Sequence, residues 1–297
     1  MAGKNLGTSL RAEIFEAHRP HLRAVAYRML GSLAEAEDAV QETWLRASAA
    51  DVGEVRNIGG WLTTVTTRTC LNALRSRAAR REEDLQTAYG ADRPDGSPTP
   101  EQEVEAADAV GIALLVVLDT LTPDERLAFV LHDLFAIPFD EIAAILERTP
   151  ASARQLASRA RRRVRGTSPA TPDASRRQQA VSAFLAATRA GDFEALVALL
   201  HPDVVLTADP AVIPTPEPVV VLGAHTVAKG AMAATGRAQF TGPALLDGAY
   251  GLAMAPHGHL RVLLTFTTHP DSGLITAIDV IAEPKRLAAV EVAVAVA

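Results

Sequence analysis

Between Glu82 and Asp108 the chain sets nine carboxylates against one basic residue, Arg93, and it places Pro94, Gly96, Pro98 and Pro100 in the middle of the run. Proline removes a backbone donor and glycine adds backbone freedom, so neither a helix nor a strand is expected to cross this stretch. A chain of 297 residues broken in this way is expected to fold as more than one body. Residues 10–81 and 110–166 read as helical on either side of an acidic linker at 82–109. A second, shorter linker spans 167–175, and residues 176–290 mix helical and strand-like patterns.

Charge is informative only when it is divided. The chain is net −6. Up to residue 168 it holds 21 Lys+Arg and 24 Asp+Glu, and beyond it 8 and 11, so each part is net −3 and bulk charge does not announce nucleic acid. Local clusters do. Arg68, Arg75, Arg77, Arg80 and Arg81 follow one another with no acid between them. "RTPASARQLASRARRRVRG", Arg148–Gly166, holds seven arginines and no acid. A field for DNA needs to be positive only where the protein enters the groove.

Composition removes several classes. With Cys70 the sole cysteine, an internal disulfide and a multi-thiolate zinc cluster are both excluded. No apolar run approaches the ~20 residues of a membrane span, and the first ten residues lack the apolar middle of a signal peptide. A cytoplasmic protein without cofactor is expected.

Helical periodicity organises the first two segments. "IFEAHRPHLRAVAYRMLGS" repeats Leu22, Val25, Ala26, Met29 and Leu30 and stops at Gly31. "LAEAEDAVQETWLRASA" collects Leu33, Ala36, Val40, Thr43, Trp44 and Ala47 on one side and leaves Asp38, Gln41, Glu42, Leu45 and Arg46 on the others. Asp51–Gly60, with three glycines, reads as a loop, and the helix after it ends in the first basic run. Thr122, Pro123 and Glu125 spell a capping box, which satisfies two otherwise unpaired backbone donors. "FDEIAAIL" turns Phe139, Ile142, Ala143 and Leu146 inward. After the turn "ERTP", Thr149 caps a helix whose apolar stripe is Ala153, Leu156, Ala157, Ala160 and Val164. A short helix, a tight turn and a basic helix with a small-residue stripe read as helix-turn-helix. Arginine suits such a helix because its planar fork bonds guanine edges or phosphates in pairs.

Beyond residue 175 two helices break at Gly191-Asp192, a Pro-rich segment follows, and a helix is expected across 224–238. Strand-like runs then cover Gln239–Leu246, Gly251–Ala255, Leu260–Thr268 and Leu274–Ala282, giving an α+β domain of antiparallel strands. By residue type, His201, Asp203, Asp209, His225, Asp247, Tyr250, His259, His269 and Asp279 are its candidates for acid-base work, but no spacing unites them, and no catalytic residue is expected.

Three blocks carry a family resemblance. "AEAEDAVQETWLRA" with "GGWLTTVTTRTCLNALRSR" resembles region 2 of extracytoplasmic-function sigma factors. "LDTLTPDERLAFVLHDLFAIPFDEIAAILERTPASARQLASRARRRVR" resembles their region 4. "RQQAVSAFLAATRAGDFEALVALLHPDVVLTADP" and "ITAIDVIAEPKRLAAV" are similar to the two ends of a SnoaL-like extension. The resemblance implies a multidomain fold: two all-α helical sigma domains, the second a helix-turn-helix, followed by an α+β cone-shaped SnoaL-like domain. It implies that Asp38, Gln41, Glu42 and Arg46 dock on the β and β′ subunits of core RNA polymerase. It places Arg56, Asn57, Arg68, Asn72 and Arg75 at the melted minus-10 element. It assigns Ser152, Arg154, Gln155, Ser158 and Arg159 to minus-35 base edges, and Arg161, Arg162, Arg163 and Arg165 to phosphates.

The implied partners are core RNA polymerase, promoter DNA and, within the chain, the SnoaL-like domain against the sigma regions, while a small ligand in the cone is left open. Relatives of this fused type often carry a Trp-Leu-Pro-Glu-Pro-like linker and an Asn-Gly-x-Pro-Gly-Leu-like motif. Here the linker has no tryptophan, and the second place reads "DGAYGL", Asp247–Leu252. The competing expectation is a one-component helix-turn-helix regulator with a ligand-sensing C-terminal domain, which leaves residues 14–81 without a role.

Overall fold

The computed structural model describes residues 2–50, 55, 57–83, 111–165, 171–212 and 215–294. The helical part runs α1 (Ala2–Leu30), α2 (Leu33–Ala49), α3 (Ile58–Glu83), α4 (Ile112–Thr120), α5 (Pro123–Phe129), a π turn (Val130–Leu134), α6 (Phe139–Leu146) and α7 (Pro150–Val164). Then come α8 (Pro172–Ala190), α9 (Phe193–Leu199), β1 (Leu200–Ala208), β2 (Val219–Leu222), α10 (Ala224–Ala233) and α11 (Thr235–Ala238). The chain closes with β3 (Thr241–Leu246), β4 (Ala249–Met254), β5 (Val262–Thr268), β6 (Ile275–Ile281), α12 (Pro284–Ala289) and β7 (Val292–Ala293). Among the described residues, 2–83 and 120–161 form one compact unit, and 111–119, 162–165 and 171–294 form another. The acidic linker 82–109 lies outside the described residues, apart from the last turn of α3.

In the first unit, α1, α2 and α3 share a core of Phe15, Leu22, Val25, Met29, Leu33, Val40, Leu62 and Leu71. The β-branched run of α3 is tolerated because its hydroxyls are spent inside the helix. Thr63, Thr64, Thr66, Thr67 and Thr69 each donate to the carbonyl four residues back. Thr66 also meets the Thr43 hydroxyl of α2 at 3.0 Å, a buried polar contact between two helices.

The expected loop 51–60 is shorter than its glycines suggest, because α3 begins at Ile58. Asn57 Oδ1 accepts the Gly60 amide at 3.0 Å and caps the helix. Gly59 and Gly60 are helical, and a neighbouring side chain stands close to each. A β-carbon at Gly59 would stand 2.8 Å from the His18 ring, and one at Gly60 would stand 2.6 Å from Asn57 Nδ2.

The second unit is built on a seven-stranded sheet ordered β2-β1-β6-β5-β4-β3-β7. The β3–β6 strands form an antiparallel meander, but its last strand pairs with β1 in parallel, against the wholly antiparallel expectation. The long excursion between β1 and β6 gives the chain room to return in the same direction, as a parallel pair requires. Strand β2 lies in the Pro-rich segment, at the sheet edge where flanking prolines cost no ladder bonds.

Helix α8 starts at Pro172 under the Thr171 cap, inside the stretch expected as linker, because the cap and the first-turn proline outweigh the composition around them. It ends at Gly191, left-handed at φ 68°, and Asp192 caps α9. Asp247 and Gly248, at φ 50° and 79°, make the two-residue turn from β3 to β4. The segment "DGAYGL" is thus a hairpin corner, and Asp247 fastens it to the backbone of Glu291 at 2.8 Å.

Candidate polymerase and promoter surfaces

Helix α2 buries Leu33, Ala36, Ala39, Val40 and Thr43 and turns Asp38, Gln41 and Arg46 to solvent, with Glu42 half-buried. Arg46 Nε reaches Glu42 Oε1 at 2.8 Å, one turn away. Trp44 belongs to the other side, half-buried with its ring 5.0 Å from Phe15. Sequence reasoning gave Leu45 no role, yet it is 55% exposed. Residues 38, 41, 42 and 45 recur at helical spacing, so Leu45 puts an apolar centre on the polar stripe. The signal for it was a large apolar residue out of register with the buried ones.

On α3, Arg68, Asn72 and Arg75 line one exposed stripe at i, i+4 and i+7. Its cations are partly engaged within the same unit. Arg68 Nη2 donates to the Ala144 carbonyl of α6 at 3.4 Å. Arg75 and Arg148 both hold Asp124, each at 2.9 Å. Arg77 turns away to Glu35 at 2.6 Å. Asn57 spends its carbonyl on the α3 cap, which leaves its amide nitrogen for another partner. Arg56 lies outside the described residues.

The helix-turn-helix is α6, a turn at Glu147, and α7. Glu147 is left-handed at φ 57°, and Thr149 Oγ1 accepts the Ser152 amide at 3.2 Å to start α7. All five residues of the expected apolar stripe, Ala153, Leu156, Ala157, Ala160 and Val164, are buried. Arg154, Gln155, Ser158 and Arg162 are exposed and Ser152 is half-buried. Arg154 lies over the Phe139 ring at 5.6 Å, and that ring stacks on His132 at 3.8 Å. A guanidinium seated on an aromatic face keeps its fork oriented while its edge stays free to bond.

Arg159 Nε bonds Glu125 Oε1 at 3.0 Å. Arg161, expected at phosphates, pairs with Asp133 at 2.5 Å. Arg163 is exposed, and Arg165 bridges to Val294 through its backbone.

Burial pushes the Cys70 thiol up to about 12, so it is no nucleophile at neutral pH. Burial, with His18 nearby, lowers the pKa of His21. Among the described residues no three His, Cys, Asp or Glu side chains are grouped to hold a metal, and no helix is long and apolar enough to cross a membrane.

In the second unit, Asp209 accepts the amides of Ala282 and Glu283 at 2.9 and 3.0 Å and bonds Arg286. Arg286 also holds Asp279 at 2.6 Å. His259 bonds Asp119 at 3.2 Å. His201 and His269 accept backbone amides two residues on.

A helix-turn-helix with an arginine-rich second helix, together with an exposed basic stripe on α3, is the architecture of a DNA-binding protein. Residues 14–80 match Sigma-70 region 2, and residues 112–164 match Sigma-70, region 4. The chain is 46% identical over 205 residues to the ECF RNA polymerase sigma factor SigJ of Mycobacterium tuberculosis, covering 66% of this chain and 64% of SigJ. It is 36% identical over 216 residues to the probable ECF RNA polymerase sigma factor SigI of the same species, covering 72% of this chain and 73% of that one. The chain therefore belongs to the extracytoplasmic-function RNA polymerase sigma factors. Among solved structures, the crystal structure of M. tuberculosis SigJ aligns with 93% of this chain and 98% of its own at 34% identity, with a TM-score of 0.45.

Proposed function

We propose that this chain directs core RNA polymerase to specific promoters and starts transcription there. Helix α2 docks on the β and β′ subunits through Asp38, Gln41, Glu42, Leu45 and Arg46. Helix α3 takes the melted minus-10 strand with Arg68, Asn72 and Arg75, joined by Arg56 and Asn57. Helix α7 reads the minus-35 duplex.

The observation that carries this reading is α7 itself. Its apolar stripe is buried while Arg154, Gln155 and Ser158 stand exposed on one face. The early residues of such a helix reach base edges, whereas Arg162 and Arg163, further along, fix register on phosphates. The Arg75–Asp124 pair is half-exposed on the arginine side, and pairs of this kind are worth about 0–1 kcal/mol, so Arg75 can exchange Asp124 for DNA at little cost.

The C-terminal domain, which we read as SnoaL-like, regulates this activity in cis. The support is that region 4 is divided between the two compact units. Helix α4 belongs to the C-terminal one, where Ile112 packs against Gly242 and Asp119 bonds His259. The end of α7 joins the same unit, its Val164 carbonyl accepting the Val294 amide at 3.0 Å. We read the domain as regulatory rather than catalytic, because none of the nine acid-base candidates lines its cavity. The protein acts in the cytoplasm beside its polymerase.

The test is run-off transcription with bacterial core polymerase, comparing the wild type with His259→Ala. Transcripts that need both the chain and core polymerase, with output altered by His259→Ala, support both parts. Binding to a palindromic duplex by the chain alone, with no transcripts, returns the one-component regulator.

A further inference from the structure

The C-terminal unit holds a half-open cavity of about 290 Å³ between α8, α10, α11 and the sheet. Its interior is apolar: Phe184, Val227, Leu252 and Ile278 line it, each nearly or fully buried. The Thr188 and Thr241 hydroxyls also line it. Each donates to a main-chain carbonyl, Phe184 at 2.8 Å and Arg237 at 3.2 Å, so toward the cavity each oxygen can only accept. The exposed residues Thr226, Gly230 and Arg237 form its mouth.

Arg237 is the one charged side chain among the described residues of the lining. No side-chain hydrogen bond or ion pair joins its guanidinium to another described residue. The apolar walls of such a pocket lack packing partners on one side, and they offer water few hydrogen bonds. The volume sits at the small end of the roughly 300–1,000 Å³ of ligand pockets, too small for a nucleotide cofactor.

We propose that this cavity is a binding site for a small amphipathic acid. The apolar body lies between α8, α10 and the sheet, and the carboxylate meets the Arg237 fork at the mouth. An anion is favoured over a neutral or basic ligand because the lining offers one cation and, among the described residues, no carboxylate. The site is independent of the sigma reading, since it rests on the lining alone.

The experiment is isothermal titration of the full chain with decanoate, and with 1-decanol as the uncharged probe. Decanoate is expected to saturate one site and to bind about tenfold or more tighter than decanol, as loss of a charge-assisted hydrogen bond implies. Arg237→Gln should remove that preference and leave decanol binding unchanged. Ala231→Phe, which fills the cavity from α10, should abolish binding of both probes. Gly230→Leu provides a second block at the mouth, where an added β-carbon meets nothing within 4 Å, so it decides the matter if Ala231→Phe does not fold. Absence of saturable decanoate binding overturns the proposal. So does equal affinity for the two probes, or binding untouched by a folded cavity-filling variant. Transcription plays no part in these readouts, so a failure here leaves the sigma assignment standing.

Discussion

Glu125 and Asp209 are both 4% exposed, one in each compact unit, and each bonds an arginine. Glu125 keeps one oxygen for its own helix start, accepting the Thr122 amide at 3.3 Å and the Thr122 hydroxyl at 3.0 Å. Its arginine, Arg159, is 43% exposed and sits on the DNA-reading helix. If Arg159 leaves for a phosphate, the carboxylate still has the capping box. The Asp209 carboxylate reaches across the fold instead. It ties the end of β1 to the backbone after β6, and to Arg286, which also grips Asp279. Burial alone would raise the Asp209 pKa, but the amides of Glu283 and Ala282, with Arg286, hold it below the usual carboxylate range. Two acid–arginine pairs of equal burial thus differ in what they join: Glu125 stays bonded within its own helix start, while Asp209 links the end of β1 to the backbone after β6. One can be exchanged, and the other is a clasp.

Removing the clasp should have the largest effect. Asp209→Ala orphans the buried Ala282 amide and leaves Arg286 with Asp279 alone of its two carboxylates, for a loss of roughly 2–4 kcal/mol in urea unfolding. A loss within experimental error would make Asp209 no different from Glu125. The same residue sets a pH signature. Its folded pKa is lowered, so its contribution is complete above the unfolded value of about 3.9 and drains away as pH falls through the folded value. Acid titration of Asp209→Ala should therefore show a shallower stability drop below about pH 4 than the wild type.

Arg154→Ala should cost about 1–3 kcal/mol at one base pair of the minus-35 element, measured over a panel of single-base variants, with unfolding unchanged. An equal loss at every sequence would move Arg154 to the phosphates. Arg159→Ala sharpens the comparison directly. Stability should move by no more than about 1 kcal/mol while promoter affinity falls, because the pair is exposed on the arginine side. A larger stability loss would make Glu125–Arg159 a second clasp. The smallest effect is expected at the turn before α7, where Glu147 is left-handed. Glu147→Gly should stabilise the protein by about 0.5–1 kcal/mol in thermal unfolding.

Local signals were legible and distant ones were not. The capping box at Thr122 and Glu125 and the stop at Gly191 are written in neighbouring residues, and they hold. The α7 stripe was equally plain, because each of its residues repeats within two turns. Composition misled where it replaced contact. Gly59 read as loop, yet the side chain its β-carbon would meet, the His18 ring, comes from another helix. Strand β2 hid among prolines, and the parallel β1–β6 pair joins residues some seventy apart. In the candidate site, the exposed residues of α2 and α7 were readable by period, whereas those of α3 came from the family resemblance. Their partners were not readable: Arg68 finds Ala144 and Arg75 finds Asp124 only through the fold. Glu147 in the left-handed region had no sequence signal, since glycine is the residue that usually marks it.

The placement of α4 bears on heredity. A recombination that carries residues 171–294 into another factor brings the sheet without Ile112 and Asp119, the groups that meet Gly242 and His259. The donor keeps Ile112 and Asp119 without the Gly242 and His259 that meet them. The inheritable module is discontinuous in sequence, so gaining or losing this domain demands matched changes before α5, and the two segments are expected to evolve as a pair.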